Sequence, residues 1–225
     1  MLCLERLYFL YKLYCHSEML KVKICGITSL EDGLNAVRLG ADYIGFVFYD
    51  KSPRSVSIRQ AQEIGEGVPN VKRVGLFVDE NPDRVRQISA TVGLDVLQFH
   101  GNESPRYCEQ FPGVNVWKAI RVQDASSLTQ IPKFKSVATI LLDAYVPGKE
   151  GGTGETFNWE LAKQAKEYGK WIVLAGGLDQ SNVAQAISIV DPFCVDVSSG
   201  VEESKGKKSM EKMKAFIEAV KGRSN

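Results

Sequence analysis

Beyond residue 19 the chain alternates short apolar runs with segments whose apolar residues recur at helical spacing. The runs predict strands over 22–25, 43–48, 72–78, 96–99, 116–120, 139–143, 171–174 and 193–197. The intervening segments predict helices over 30–39, 58–65, 82–91, 105–111, 125–130, 159–168, 181–189 and 210–220. Most of the strand runs are apolar throughout rather than alternating, the pattern of strands covered on both faces. Strand–helix repeats of this kind imply parallel strands joined by right-handed crossovers. Eight such repeats close naturally into a (β/α)8 TIM barrel of the α/β class. An open doubly wound sheet is the alternative, and eight evenly pitched repeats speak against it. No linker or shift of composition divides residues 19–225, which read as one catalytic domain.

Residues 1–18, MLCLERLYFLYKLYCHSE, break this pattern. They are rich in Leu and Tyr, but Glu5, Arg6 and Lys12 interrupt any signal-peptide core. We read them as an N-terminal extension upstream of a true start at Met19. An amphipathic arm packed on the barrel or on a partner is the competing reading.

Composition narrows the function classes. With 28 basic and 27 acidic residues the net charge is +1, so no basic field attracts nucleic acid. No apolar run approaches the ~20 residues needed to cross a bilayer. The five cysteines (Cys3, Cys15, Cys25, Cys108 and Cys194) are scattered, without a CxxC or a Cys/His cluster. That spacing argues against a disulfide framework or a structural zinc, and for a reducing, cytoplasmic setting.

In a barrel of this kind the active site is assembled at the carboxyl ends of the strands. Those positions are Cys25, the loop 50–54, Asp79, His100-Gly101, Arg121, Asp143, Gly176-Gly177 and Ser198-Ser199-Gly200. Because the rule treats all eight ends alike, some of them are expected to be structural. Cys25 stands where an apolar strand meets Gly26, with Thr28 or Ser29 available to cap the next helix. A free cysteine is most often a small buried hydrophobe, so the residue type alone assigns nothing.

Gly176, Gly177, Ser198, Ser199 and Gly200 follow the seventh and eighth strands, where barrels of this type build a phosphate cradle. Tight turns are the bland reading of the same glycines. Asp143 ends an apolar strand and precedes a loop with four glycines in residues 148–154, which reads as a lid. A carboxylate there serves as a proton donor or, equally, as a helix cap or ion-paired structural group. Asp196 lies among the last apolar residues of its strand, where a buried structural role competes with a functional one. Arg54 offers a planar fork for a carboxylate, against a solvated surface position. His100 is as readily a structural hydrogen-bonding group as a functional one. Lys118 and Arg121 read as sources of positive potential.

With these residues in view, the chain closely resembles the phosphoribosylanthranilate isomerase family. The resemblance spans Lys21 to Val220 and rests on Lys23-Ile24-Cys25-Gly26-Ile27-Thr28, Gly45-Phe46-Val47-Phe48, Ser52-Pro53-Arg54 and Val74-Gly75-Leu76-Phe77-Val78. It continues in Gln98-Phe99-His100-Gly101, Leu141-Leu142-Asp143, Gly151-Gly152-Thr153-Gly154, Leu174-Ala175-Gly176-Gly177-Leu178 and Val195 to Glu202. Tyr49 and Phe99 are mild aromatic departures. The resemblance implies an Amadori rearrangement of a phosphoribosyl anthranilate without metal or organic cofactor. It implies Cys25 as general base and Asp143 as general acid. A thiolate is a competent proton acceptor if its pKa is lowered, which Lys23 or the following helix terminus could assist, but the sequence does not give that pKa. It places Arg54, His100 and Asp196 among the substrate-binding groups. A small-molecule substrate is the expected partner, and a monomer the expected state, with a homodimer as the alternative.

Three rivals remain. The histidine-pathway phosphoribosyl isomerase resembles a repeated half-barrel with an aspartate at the Cys25 position, and no repeat is visible here. A non-catalytic phosphosugar-binding barrel predicts affinity indifferent to Cys25. A thiol-redox protein lacks a resolving cysteine near Cys25 in the sequence.

Overall fold

The computed structural model describes residues 20–144 and 158–222. The extension 1–18 and the glycine-rich loop 148–154 lie outside the described residues. Eight parallel strands form a closed barrel, each paired to the next and the last to the first. They are β1 Lys21–Cys25, β2 Tyr43–Phe48, β3 Lys72–Phe77, β4 Val96–Phe99, β5 Asn115–Val122, β6 Thr139–Ala144, β7 Trp171–Leu174 and β8 Cys194–Val197. The predicted strands differ from these by at most two residues at either end. No helix among the described residues is long and apolar enough to cross a membrane.

Helices cover the outside of the barrel. They are α1 Leu30–Leu39, α2 Ile58–Gly67, α3 Pro82–Val92, α4 Pro105–Cys108, α5 Trp159–Ala165, α6 Val183–Val190 and α7 Met210–Lys221. Local chemistry starts them: Ser29, Ser57, Asn81, Ser104, Asn158 and Ser209 each accept a backbone N–H of the first turn. Gly40 and Gly93 stop α1 and α3 in the left-handed conformation.

Two expected helices come out differently. α4 is a single turn, and the segment expected as a helix over 125–130 is a 3-10 helix over Ala125–Lys133. Pro132 lies inside that segment and lacks the N–H that a regular helix would use. One element escaped the sequence reading: after a 3-10 turn at Ser199–Val201, β9 Glu202–Ser204 and β10 Lys207–Lys208 form a small antiparallel hairpin.

The strand period of two sorts the side chains into two cores. Ile24, Ile44, Phe46, Phe77, Leu97, Phe99, Ile120, Leu142 and Val195 face the helices in the main hydrophobic cluster. Tyr43, Val74, Val96, Trp117, Leu141, Val173 and Cys194 fill the barrel interior. The same alternation, carried to the strand ends, turns Cys25, Gln98, His100, Asp143 and Asp196 toward the barrel axis.

Candidate active site

One cavity opens at the carboxyl ends of the strands. Cys25, Arg54, Gln98, His100, Asp143, Gly176, Gly177, Asp196, Ser198 and Ser199 all line it. Val47, Leu76, Val78 and Tyr49 form an apolar wall against Cys25. All but one of the proposed site residues therefore meet in one place. The exception is Gly200, which sits behind the lining. A Cβ there would collide with the carbonyl of Leu178, so this glycine lets the loops after β7 and β8 touch.

On one side stands a buried triad. The register pairs Lys23 with Asp196, and Lys23 Nζ donates to Asp196 Oδ1 at 2.8 Å. Lys23 is fully buried. Thiol and ammonium crowd the same space, for a Cβ on Gly45 would lie 3.0 Å from Cys25 Sγ and 3.2 Å from Lys23 Nζ. Burial pushes the Cys25 thiol pKa up; Lys23 pulls it down, and Asp196 pushes it up again. The net direction is upward, so the condition of a lowered thiol pKa is not met. Lys23 moderates the cost of burial without overcoming it. Burial also opposes the charge on Lys23, but Asp196 and Cys25 outweigh it and hold the ammonium protonated.

This balance makes a prediction. Removing the cation in Lys23→Met leaves burial and Asp196 acting together on the thiol, so the pH at which Cys25 is alkylated should rise. Alkylation read at the Cys25 peptide by mass spectrometry checks it. Lys23→Arg should keep the profile near wild type. An unchanged profile in Lys23→Met would separate the lysine from the thiol. The Met variant strands Asp196 without its partner, at a cost of about 3–5 kcal/mol, so melting temperature should fall alongside.

Across the cavity stands a second chain of contacts. His100 Nε2 lies 3.1 Å from Asp143 Oδ2, and Gln98 Nε2 lies 3.0 Å from His100 Nδ1. Asp143 Oδ1 accepts the Ala144 N–H at 2.9 Å. With Gln98 Nε2 assigned as the donor, the imidazole proton falls on Nε2 and points at Asp143. Gln98 is fully buried, and its Oε1 has no partner among the described residues. In the sequence Gln98 stands out only as part of the motif Gln98-Phe99-His100-Gly101. The available signal was its parity with His100, two residues apart on one strand face. Gly176, at φ +83°, backs onto this group: a Cβ there would come within 2.9 Å of Asp143 Oδ1. Its lack of a side chain thus serves Asp143 as well as any anion.

Arg54 is buried, which excludes the solvated-surface reading. Its Nε and Nη2 donate to Glu202 Oε1 and Oε2 at 2.7 and 2.8 Å. The remaining strand-end positions are tied to neighbouring groups. Asp79 accepts from the Asn102 backbone, and Glu103 ties Asp79 and Gly101 together. Lys118 points outward to Glu103 at 2.9 Å, and Arg121 Nη2 donates to the His100 carbonyl.

Known proteins resemble this chain in sequence and fold. Residues 22–219 match the family model described as N-(5'phosphoribosyl)anthranilate (PRA) isomerase. A relative of that name from Geobacter sp. (strain M21) is 53% identical over 204 residues, 90% of this chain and 98% of its own. One from Geobacter sulfurreducens is 49% identical over 205 residues, 91% of this chain and all of its own. The solved phosphoribosyl anthranilate isomerase of Thermotoga maritima superposes with a TM-score of 0.85 at 41% identity, covering 91% of this chain and 100% of that one. A further solved structure, at TM-score 0.82 and 40% identity over 91% of this chain and 100% of its own, holds reduced 1-(o-carboxyphenylamino)-1-deoxyribulose 5-phosphate.

Proposed function

The chain belongs to the N-(5'-phosphoribosyl)anthranilate isomerase family, and from that premise we propose how its site divides the work. The enzyme converts N-(5-phosphoribosyl)anthranilate to 1-(2-carboxyphenylamino)-1-deoxyribulose 5-phosphate, a step of tryptophan biosynthesis. Asp143 donates a proton to the ribose ring oxygen, and the ring opens to a protonated Schiff base. Cys25, as thiolate, then removes the proton from C2′ to leave an enolamine. Protonation at C1′ and loss of the C2′ hydroxyl proton then give the ketone, so substrate and product balance as isomers. The observation that carries this reading is the convergence of Cys25 and Asp143 on one cavity from β1 and β6, three strands apart around the barrel. Acid and base can therefore approach the ribose from different sides.

His100 holds Asp143 in place, Asp196 holds Lys23, and each reaches the substrate from its own side of the cavity. Gly176, Gly177, Ser198 and Ser199 receive the phosphate, with Gly200 fixing the loop behind them. The apolar wall of Val47, Leu76 and Val78 suits an aromatic ring, and Arg54 holds that ring's carboxylate. No cofactor enters this scheme, and every side chain given a role in it comes from one chain, which supports action as a monomer. Sedimentation velocity would show a dimer if that is wrong. A thiol that must stay reduced supports a cytoplasmic setting.

Following decay of the fluorescent substrate, generated from anthranilate and phosphoribosyl pyrophosphate by the upstream transferase, tests the activity directly. Arg54→Lys keeps the charge but loses the planar fork. It should mainly raise KM, and an unchanged KM would remove Arg54 from the substrate.

A further inference from the structure

We propose that Glu202 is a positioning residue that sets substrate specificity by locking Arg54 with one edge of its guanidinium turned to the cavity. The inference rests on the reading of Arg54 as the carboxylate-binding group. A guanidinium offers five donors in a rigid plane. Glu202 takes the edge formed by Nε and Nη2, at 2.7 and 2.8 Å. The edge formed by Nη1 and the second Nη2 proton has no hydrogen-bond partner among the described residues, and Arg54 lines the cavity. A second carboxylate can therefore dock on Arg54 without displacing the first.

The lock is itself held from three directions. The hairpin register places Lys208 opposite Glu202, and Lys208 Nζ donates to Glu202 Oε1 at 2.9 Å and to the Ser198 carbonyl at 3.1 Å. Lys212 Nζ donates to the Glu202 carbonyl at 2.7 Å. The hairpin turn packs on the loop that carries Arg54, where a Cβ at Gly206 would lie 3.0 Å from the Pro53 carbonyl. Gly26, at φ +74°, makes room for the arginine stem: a Cβ there would come within 2.7 Å of Arg54 Cδ. Arg54 is thus fixed at both its stem and one edge of its head.

Charge points the same way. Arg54, Lys208 and Glu202 in contact carry one surplus positive charge in a buried setting, which an arriving carboxylate neutralises. A substrate analogue that lacks the carboxylate leaves that charge unmatched.

The test compares two substrates, the anthranilate compound and its aniline counterpart, which lacks only the carboxylate. Their kcat/KM ratio should fall about 10-fold or more in Glu202→Gln, mostly through KM for the carboxylated substrate. In the same variant the Arg54 Nε–H resonance should lose its protection from solvent exchange. Glu202→Asp should keep the charge but pull the fork back, and give an intermediate ratio. Melting curves of both variants separate lost positioning from lost folding, because misfolding lowers both substrates alike. Arg54→Lys is the control for the underlying reading. If Arg54→Lys collapses the ratio while Glu202→Gln leaves it and the Nε–H signal unchanged, the lock is overturned and the carboxylate role stands. If neither variant moves the ratio, Arg54 does not read the carboxylate, and both fall.

Discussion

Cys25→Ala is expected to lower kcat by ~10² to 10⁴-fold, the usual contribution of a general base, while product analogues bind with little change. The substitution removes one sulfur from a cavity whose polar groups are held by other partners. Lys23 keeps Asp196 at 2.8 Å, and Arg54 keeps Glu202. The binding surface should therefore survive the loss of the base. Burial holds the thiol pKa above its ordinary value, so the thiolate is the scarce form near neutrality. In the wild type kcat/KM should accordingly rise with pH on the acid side of the thiol, and this limb should vanish in Cys25→Ala. Stopped-flow decay of the fluorescent substrate across pH measures both. Retention of near-wild-type turnover in Cys25→Ala would leave the thiol without a catalytic role and assign the base to another group.

The strand ends were legible because parallel strands buried on both faces appear as apolar runs, and each polar residue that ends a run is conspicuous. Cys25 and Asp143 show up in this way. Asp196 was ambiguous for the same reason, since it sits within the run rather than after it. Only the period of two, applied against the register with Lys23, turns it inward to the triad. Gln98 has an apolar neighbour on each side and resembles an isolated polar interruption until its parity with His100 is noticed. The hairpin was illegible on different grounds. Glu202 to Lys208 is a charged, glycine-containing stretch, and such stretches normally face water. What buries Glu202 is Arg54, 148 residues earlier, together with Lys208 across a two-residue strand. A contact of that range leaves no periodic trace. The pKa of Cys25 was likewise beyond the sequence: Lys23 was visible as a neighbour, but the depth of burial that outweighs it was not.

Asp143→Asn is the sharpest probe of the acid, because the surrounding groups can accept the amide without rearranging the chain. Asp143 Oδ1 accepts the Ala144 N–H, so an asparagine there keeps its oxygen on that side. Its NH2 then faces His100 Nε2, which must become the acceptor. The imidazole proton moves to Nδ1, and Gln98 turns its amide to present the Oε1 that has no partner among the described residues in wild type. The new asparagine, His100 and Gln98 would each keep a hydrogen bond, with Gln98 Nε2 taking the place without a described partner that Oε1 holds in wild type, and the acidic proton is lost. Melting temperature and affinity for product analogues should change little, while turnover falls by ~10² to 10⁴-fold. Single-turnover kinetics should place that loss at ring opening, before proton removal at C2′. If the variant opens the ring at the wild-type rate, the proton comes from elsewhere. Asp196, which accepts from Lys23 at 2.8 Å, would be the next group to examine.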